Sequence, residues 1–539
     1  MVILSSYQFD FIVPGVWLCL FGFRMNSIVG VCYRELSNKM FLLTRFLVVM
    51  VAFSSGVLAF AGEAKRPNVL WFVVDDMSAN FSCYGEKLIS TPSVDRLAKQ
   101  GTKFSHAFVT APVCSPCRSA LITGMYQTTI GAHHHRSGRG SLKINLPDGV
   151  VPVPVLFKRA GYFTCTGSGL PGIGSNGLRS RRAERGKDDY NFEWDKGMYD
   201  SNDWEGRADG QPFFMQVQLP GGKLRGGSDS DAISLSQRAV REFGNQTDPE
   251  DVELPPYYPH DPVLLRDWAA YLDAVRFTDR HVGEVISRLE KEGILDETIV
   301  IFMTDHGISH ARGKQFLYDE GTHVPLIVRG PGIPVGESRS DLVEHIDLAA
   351  ISLGRTGIGV PAYMQGKDVF SPEYKQREFV IAARDRCDET VDRIRSLRTE
   401  EFLYIRNFFP HRPMLQPNAY KDGKSIVQSL RRLNASGELS DLGKRLLFAE
   451  ERPAEELYRW REDRWQLRNL ASDPGYQEDL AKLRAKLDRW IAETKDRGFE
   501  DEAMYDSDMA AYLQGKPEED RAVIQKNINQ MKEWARKGQ

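Results

Sequence analysis

Val69-Leu70-Trp71-Phe72-Val73-Val74, running directly into Asp75-Asp76, is the stretch on which the reading of the fold turns. It is apolar without a break, rich in β-branched and aromatic residues, and bounded by Pro67-Asn68 before it and two acids after it. A strand with no polar alternation is buried on both faces, the habit of strands in a parallel sheet covered by helices. Outward from it, residues 93–100 (SVDRLAKQ) read as a helix, and a second helix begins near Pro116 and continues through residues 119–123. Residues 264–292 place Trp268, Leu272, Val275, Val282, Ile286 and Leu289 on one stripe, the spacing of a long amphipathic helix. Gly293 follows, then an apolar strand at 298–303 (TIVIFM) ending in Asp305-His306-Gly307, and another buried strand at 325–328 (PLIV).

Strands alternating with helices predict an α/β fold, a large doubly wound mixed sheet flanked by helices, over residues 66–375. From about Glu378 the texture changes. Short strands at 402–407 and 456–460, then a helix at 477–494, predict a smaller C-terminal α+β subdomain over 376–500, a short antiparallel sheet plus helix. Residues 501–539 read as a charged helical tail.

A chain of 539 residues, 42% of them hydrophobic, can bury a large core. Its net charge of −3 gives no reason to propose a nucleic-acid partner. Residues 40–61 combine Arg45, an apolar run and Ala59-Phe60-Ala61, the layout of a signal peptide cleaved after Ala61. That layout predicts a secreted or periplasmic protein with no stable membrane span after cleavage. The apolar run is short for a bilayer and is broken by Ser54, Ser55 and Gly56. The 39 residues before Met40 fit neither a signal nor a domain, and translation is expected to begin at Met40 or Met25. Five cysteines follow Ala61, namely Cys83, Cys114, Cys117, Cys165 and Cys387, and an odd number leaves at least one thiol outside any disulfide framework. Cys114-x-x-Cys117 has no second CxxC pair with which to complete a zinc site.

Two predicted strands end in acids, at Asp75-Asp76 and at Asp305-His306. Ligands of open α/β sheets gather at the carboxyl ends of strands, and carboxylates massed there need a cation to offset their repulsion. Taken singly, the first pair also fits a cap and Asp305-His306-Gly307 a turn. Between them stands Cys114-Ser115-Pro116-Cys117-Arg118-Ser119-Ala120-Leu121-Ile122-Thr123-Gly124. Pro116 is tolerated in a first helical turn, which puts Cys114 at a helix N-terminus, where an anion is stabilised and a thiol pKa falls. Arg118, one turn on, can offer a planar fork to an oxyanion.

This run resembles the signature of the type I sulfatases of the alkaline-phosphatase superfamily, C-x-P-S-R-x-x-x-x-T-G, in which the cysteine is oxidised to formylglycine. Asp75-Asp76 and Thr304-Asp305-His306-Gly307 resemble the two metal pairs of that family. The stretches Thr91-Pro92-Ser93-Val94-Asp95-Arg96-Leu97-Ala98 and Gly313-Lys314 with Tyr318, Gly321 and Val324-Pro325 match in the same order. Leu457-Tyr458 and Asn469-Leu470-Ala471 resemble the small second domain. One departure is Cys117, which stands where the family usually has Ser, and a disulfide from it to Cys114 would block conversion.

The resemblance implies a metal site of Asp75, Asp76, Cys114, Asp305 and His306. Calcium is expected there, although an imidazole ligand suits zinc or manganese better. It implies a formylglycine nucleophile at residue 114, made by a formylglycine-generating maturation enzyme. One hydroxyl of the hydrated aldehyde attacks sulfur and the other releases sulfate. It gives Arg118 and Lys314 as counter-charges and aligns Lys187 with a Gly-Lys motif. The two histidines customary in the family are missing, and Lys223 occupies the neighbourhood of one of them. His310, His133 and His135 are the candidates for the leaving-group acid.

A sulfated polysaccharide or its oligosaccharides is the expected substrate class, with N- or O-linked sulfate left open. The heparan N-sulfatase-like branch is the nearest resemblance, partly through Arg384-Asp385-Arg386 and Ile394-Arg395-Ser396-Leu397-Arg398, which could bind an anionic sugar or form a solvated charged surface. The alternatives are a phosphodiesterase or phosphonate hydrolase on the same fold, an inactive glycan-binding relative and, more remotely, a CxxC oxidoreductase.

Overall fold

The computed structural model describes residues 65–174, 186–499 and 501–539. The expected signal segment and the stretch before Met40 lie outside the described residues. Arg66–Gln539 form one compact unit.

The opening run is the central strand β1 (Asn68–Val74), buried at all seven positions. The other strands of its sheet are β2 (Thr102–Phe108), β3 (Phe163–Gly167), β4 (Phe213–Leu219), β5 (Thr298–Thr304), β6 (His323–Arg329), β7 (Glu337–Arg339) and β8 (Val343–Glu344). Their order is β3-β4-β1-β5-β6-β2-β7, with β8 also on β2. The half from β3 to β5 is parallel, whereas β6 runs antiparallel to both β5 and β2, so the sheet is mixed as expected.

Alternation along β1 divides the interior. Leu70, Phe72 and Val74 enter one core with Trp268, Leu272 and Val275, while Val69, Trp71 and Val73 enter another with Leu348, Ile351 and Leu353. Helices therefore cover both faces: α1 (Pro92–Gln100), α3 (Asp229–Phe243) and α4 (Pro262–Lys291) on the first, α2 (Cys114–Thr123) and α5 (Asp347–Arg355) on the second. Trp71 is fully buried, and its indole N–H is satisfied by Ser352 Oγ of α5 at 2.9 Å. Truncating a side chain as enclosed as Phe72 to alanine costs about 3–5 kcal/mol.

The second sheet is antiparallel, ordered β12-β11-β10-β9, from β9 (Phe379–Arg384), β10 (Ile394–Thr399), β11 (Leu403–Asn407) and β12 (Glu455–Tyr458). α6 (Gln477–Glu493) packs its Leu480, Leu483, Leu487 and Trp490 with Leu397 and Tyr404 of this sheet. The tail forms α7 (Glu502–Leu513) and α8 (Glu518–Arg536). It folds back on the body, where Asp508 of α7 pairs with Arg386 at 2.6 Å and accepts from the Arg139 N–H at 3.2 Å.

All five described cysteines are free, and Cys117 Sγ is engaged with the Asp305 carbonyl at 2.6 Å. The basic residues of β9 and β10 are neither solvated nor open to a ligand, which corrects both readings of them. Arg384, Arg395 and Arg398 are buried and paired with Asp392, with Asp385 and Asp496, and with Asp319. A guanidinium withdrawn from water must find a carboxylate.

Candidate active site

The ends of β1 and β5 are adjacent because Val74 and Thr304 are register partners. Backbone hydrogen bonds run one residue past the strands: Asp305 N–H donates to Val74 O at 2.8 Å and Asp75 N–H to Leu219 O at 3.0 Å. Both acids are thus fixed at the sheet edge before their side chains make any contact. Gly221 crosses this edge with φ +51°, where a Cβ would lie 2.2 Å from the Asp75 carbonyl, so only glycine lets the chain after β4 pass so closely.

Cys114 is the first residue of α2, following an extended Val113, and it is buried. Its Sγ lies 3.3 Å from His306 Nε2, 3.2 Å from Lys314 Nζ and 3.6 Å from Lys223 Nζ. Ligand atoms of Asp76, Cys114 and His306 lie within 4.8 Å of one another, as do those of Asp75, Cys114 and Asp305. His306 Nδ1 faces the Gly307 carbonyl at 3.0 Å, which places its proton there and leaves Nε2 as the inward donor atom. That Nε2 stands 3.2 Å from Asp76 Oδ1 and 3.4 Å from Asp305 Oδ1. A neutral imidazole presenting a lone pair to two carboxylates is repulsive, so without an ion the ring must gain a second proton. Although burial opposes it, Asp305 indeed raises the pKa of His306. A divalent cation in place of that proton would satisfy all these donors, so the residues fit such an ion.

The charges around the thiol are strongly coupled. Burial disfavours a thiolate at Cys114, but Lys187, Lys223, Lys314 and His306 outweigh it and hold the thiol well below its usual range. Burial likewise opposes charge on Asp75, where Lys187, Arg118 and Lys223 prevail and keep the carboxyl low. Asp305 goes the other way, pushed up to about 7 by burial and by Asp75.

Arg118 does not offer its fork to an incoming oxyanion. Nε donates to Asp305 Oδ2 at 3.0 Å and Nη2 to Asp75 Oδ1 at 2.9 Å, while Nη1 reaches Gln218 Oε1 at 2.5 Å and the Lys187 carbonyl at 3.1 Å. It is a positioning residue that clamps the two acids. Lys314 bridges Asp76 Oδ1, at 2.8 Å, and Cys114. Lys187 Nζ bonds Asp75 at 3.0 Å and Asp189 at 3.3 Å, and Lys223 Nζ bonds Asp75 at 3.0 Å.

His310 is turned away from this group. Its Nε2 is 2.6 Å from Asp267, its ring packs against Trp268, and burial pushes its pKa down to about 4. His133 lies against His134 with ring centroids 4.1 Å apart and planes tilted by 44°, and burial with Arg395 nearby lowers its pKa to about 3. His135 pairs with Asp388 at 3.1 Å. Sequence reasoning passed over His345, which donates from Nε2 to the Cys117 carbonyl at 3.0 Å and accepts the Thr110 N–H at 3.2 Å on Nδ1, anchoring α2 from below. It also passed over Asp189 and Gln218, which lie far from the signature in sequence. Among the described residues, five of the seven non-glycine residues with positive φ, Asp76, Arg136, Asp189, Gln315 and Asp388, surround this site, and such strain collects where function demands it. A cavity of about 1320 Å³ between α1 and α4, lined by Pro92, Arg96, Phe243 and Arg280, contains none of these residues.

Buried acids, an inward imidazole and lysines thus converge on one sulfur. The family model described as Sulfatase matches residues 67–358. An ulvan-active sulfatase of Formosa agariphila is 31% identical over 467 residues, 79% of this chain and 75% of that protein. The N-sulphoglucosamine sulphohydrolase of Homo sapiens is 26% identical over 485 residues, 80% of this chain and 91% of that protein. Among solved structures, a 2-O GAG sulfatase shares the fold with a TM-score of 0.57 at 19% identity, covering 82% of this chain and 96% of that one. The chain belongs to the sulfatase family and is a hydrolase of sulfate ester or sulfamate bonds.

Proposed function

We propose that this protein removes sulfate from a sulfated carbohydrate, using a formylglycine made from Cys114 and a calcium ion held by Asp75, Asp76, Asp305 and His306. The observation that carries the reading is the position of Cys114 Sγ, at a helix N-terminus, 3.3 Å from His306 Nε2 and 3.2 Å from Lys314 Nζ. The carbohydrate class is supported by two relatives, an ulvan-active sulfatase and an N-sulphoglucosamine sulphohydrolase. Held by Asp75, Asp76, Asp305 and His306, such an ion would supply Lewis acidity toward a sulfate oxygen, and a hydrated aldehyde at residue 114 would supply two hydroxyls on one carbon.

The rest falls to this chain's own side chains. Arg118 keeps Asp75 and Asp305 at fixed separation, and Lys314 sets its ammonium where sulfate charge must be met. Lys187 keeps Asp75 ionised while sharing Asp189. Lys223 replaces the missing histidine. Burial opposes its charge, but Cys114, Asp75 and Asp76 hold it as an ammonium, positioned to hydrogen-bond the departing oxygen. His310, held by Asp267, is too engaged for that part. Among the described residues no helix is long and apolar enough to cross a membrane. The signal-like residues 40–61 support secretion or delivery to a periplasm.

The test is the mass of the Cys114 peptide after co-expression with a formylglycine-generating enzyme, followed by turnover of nitrophenyl sulfate against nitrophenyl phosphate. An aldehyde and a preference for sulfate are expected. A thiol or a Cys114–Cys117 disulfide would overturn the reading, and a preference for phosphate would favour the phosphonate-hydrolase alternative.

A further inference from the structure

The loop carrying His133-His134-His135-Arg136 is held by two consecutive backbone amides, while among the described residues the guanidinium of Arg136 is left without a hydrogen-bond partner. Arg136 N–H donates to Ser115 Oγ of the signature helix at 2.9 Å, and His135 N–H donates to the Arg386 carbonyl at 2.8 Å. Arg136 itself takes φ +57°, a left-handed conformation that asparagine or glycine adopts at less cost. Its side chain is exposed. Among the described residues its guanidinium has no carboxylate or carbonyl partner, whereas every other cation at the site is committed: Arg118 to Asp75 and Asp305, Lys187 and Lys223 to Asp75, Lys314 to Asp76.

The charge of Arg136 is felt by groups of the site. Partial burial works against its charge, and Asp388, Asp189, Cys114 and Tyr512 raise its pKa despite that. Asp388 is itself tied up by His135 and Asp189 by Arg139 and Lys187, so neither neutralises Arg136. The residue is an exposed planar donor whose backbone is bonded to Ser115, the residue next to Cys114. A guanidinium so placed matches a planar or tetrahedral oxyanion, and a bare carboxylate or sulfate is its best complement.

We propose that Arg136 binds a second oxyanion on the substrate, carried by the sugar unit at or next to the one that loses its sulfate. The proposal rests on the sulfatase reading above and narrows its substrate class to carbohydrates with at least two anionic groups. The two sources of that oxyanion, a uronate carboxylate and a second sulfate, share one chemistry and are separated by the substrates used.

The experiment compares kcat/KM of the mature enzyme on nitrophenyl sulfate with that on a sulfated disaccharide bearing a free uronate, its methyl ester, and a disulfated glucosamine. Arg136→Asn, which suits the left-handed backbone, is expected to reduce the preference for dianionic substrate over nitrophenyl sulfate by about 10- to 100-fold, mainly through KM, the worth of one charge-assisted hydrogen bond. Arg136→Lys should recover part of that preference. Loss confined to the uronate and absent in its ester assigns the carboxylate, and loss confined to the disulfated sugar assigns the sulfate. If the preference is unchanged, or if both substrate classes lose equally in kcat, Arg136 binds no second anion and the proposal falls. Wild-type enzyme that turns over none of these substrates would instead remove the sulfatase reading, and the proposal with it.

Discussion

Arg118 offers the sharpest test of how the site is held. Its guanidinium is 2% exposed and satisfies four acceptors, two of them carboxylates reached from different strand ends. Lysine in its place keeps the charge but brings one nitrogen, which can reach Asp75 or Asp305 and not both. One charge-assisted bond is lost, worth about 1.5–3 kcal/mol, and the acceptors on Gln218 and Lys187 are left without a donor at about 1–3 kcal/mol each where water cannot enter. Allowing for partial relaxation, Arg118→Lys is expected to destabilise the protein by about 3–5 kcal/mol. That is a factor of about 140 in the folding equilibrium even at the low end, since 1.4 kcal/mol is a factor of ten. Urea unfolding followed by tryptophan fluorescence reads it as a fall in midpoint at unchanged slope. Activity should fall with it, through kcat, because two metal-type ligands lose their separation. An unfolding free energy within about 1 kcal/mol of the wild type would refute the reasoning, because Arg118 would then be replaceable by any cation.

Three other outcomes are expected. Adding calcium to chelator-treated protein should raise its melting temperature, with about 2.7 kcal/mol gained when the ion exceeds its Kd a hundredfold; no response to calcium, manganese or zinc would remove the metal site. His345 is pushed down to about 4 by burial, so its contribution of about 3 kcal/mol is present above pH 6.5 and is lost as pH falls towards 4; His345→Gln should flatten that acid limb in pH-dependent unfolding. Glu389 is pushed up to about 7 by burial while accepting from Asn527 of α8 at 2.8 Å, so stability should fall by about 3 kcal/mol as pH rises from 4.5 to 7. Glu389→Gln should abolish that slope and the accompanying loss of hydrogen-exchange protection in α8.

What the sequence disclosed was local, and what it withheld was distant. The apolar run of β1 and the helix start at Cys114 are written in consecutive residues, so burial and periodicity suffice to read them. The partners of Arg118 are 43 and 187 residues away, and no short pattern says that its fork is already occupied. The Asp267 carboxylate that holds His310 comes from 43 residues upstream on α4, and it turns a candidate catalytic imidazole into a buried, hydrogen-bonded ring. The arginines of β9 and β10 look like surface charge because a charge run ordinarily is. Their burial depends on acids such as Asp496, after α6, and Asp319, ahead of β6. Lys223 was visible only as a residue in the place of a missing histidine, and its 3.6 Å approach to Cys114 needed the chain after β4 to cross at Gly221.

The burial of Cys114 also sets a clock. In the folded protein its side chain is closed in by His306, Lys223 and Lys314, and no second enzyme could grip it. The oxidation proposed at this residue must therefore happen on nascent chain, before the pocket closes. Closure needs Lys314, which leaves the ribosome 200 residues after Cys114. At about 5–20 residues per second, that delay gives the maturation enzyme roughly 10–40 s per molecule. Host, temperature and codon usage thus become determinants of specific activity, because a chain that folds ahead of its modifier is correctly shaped and permanently unconverted.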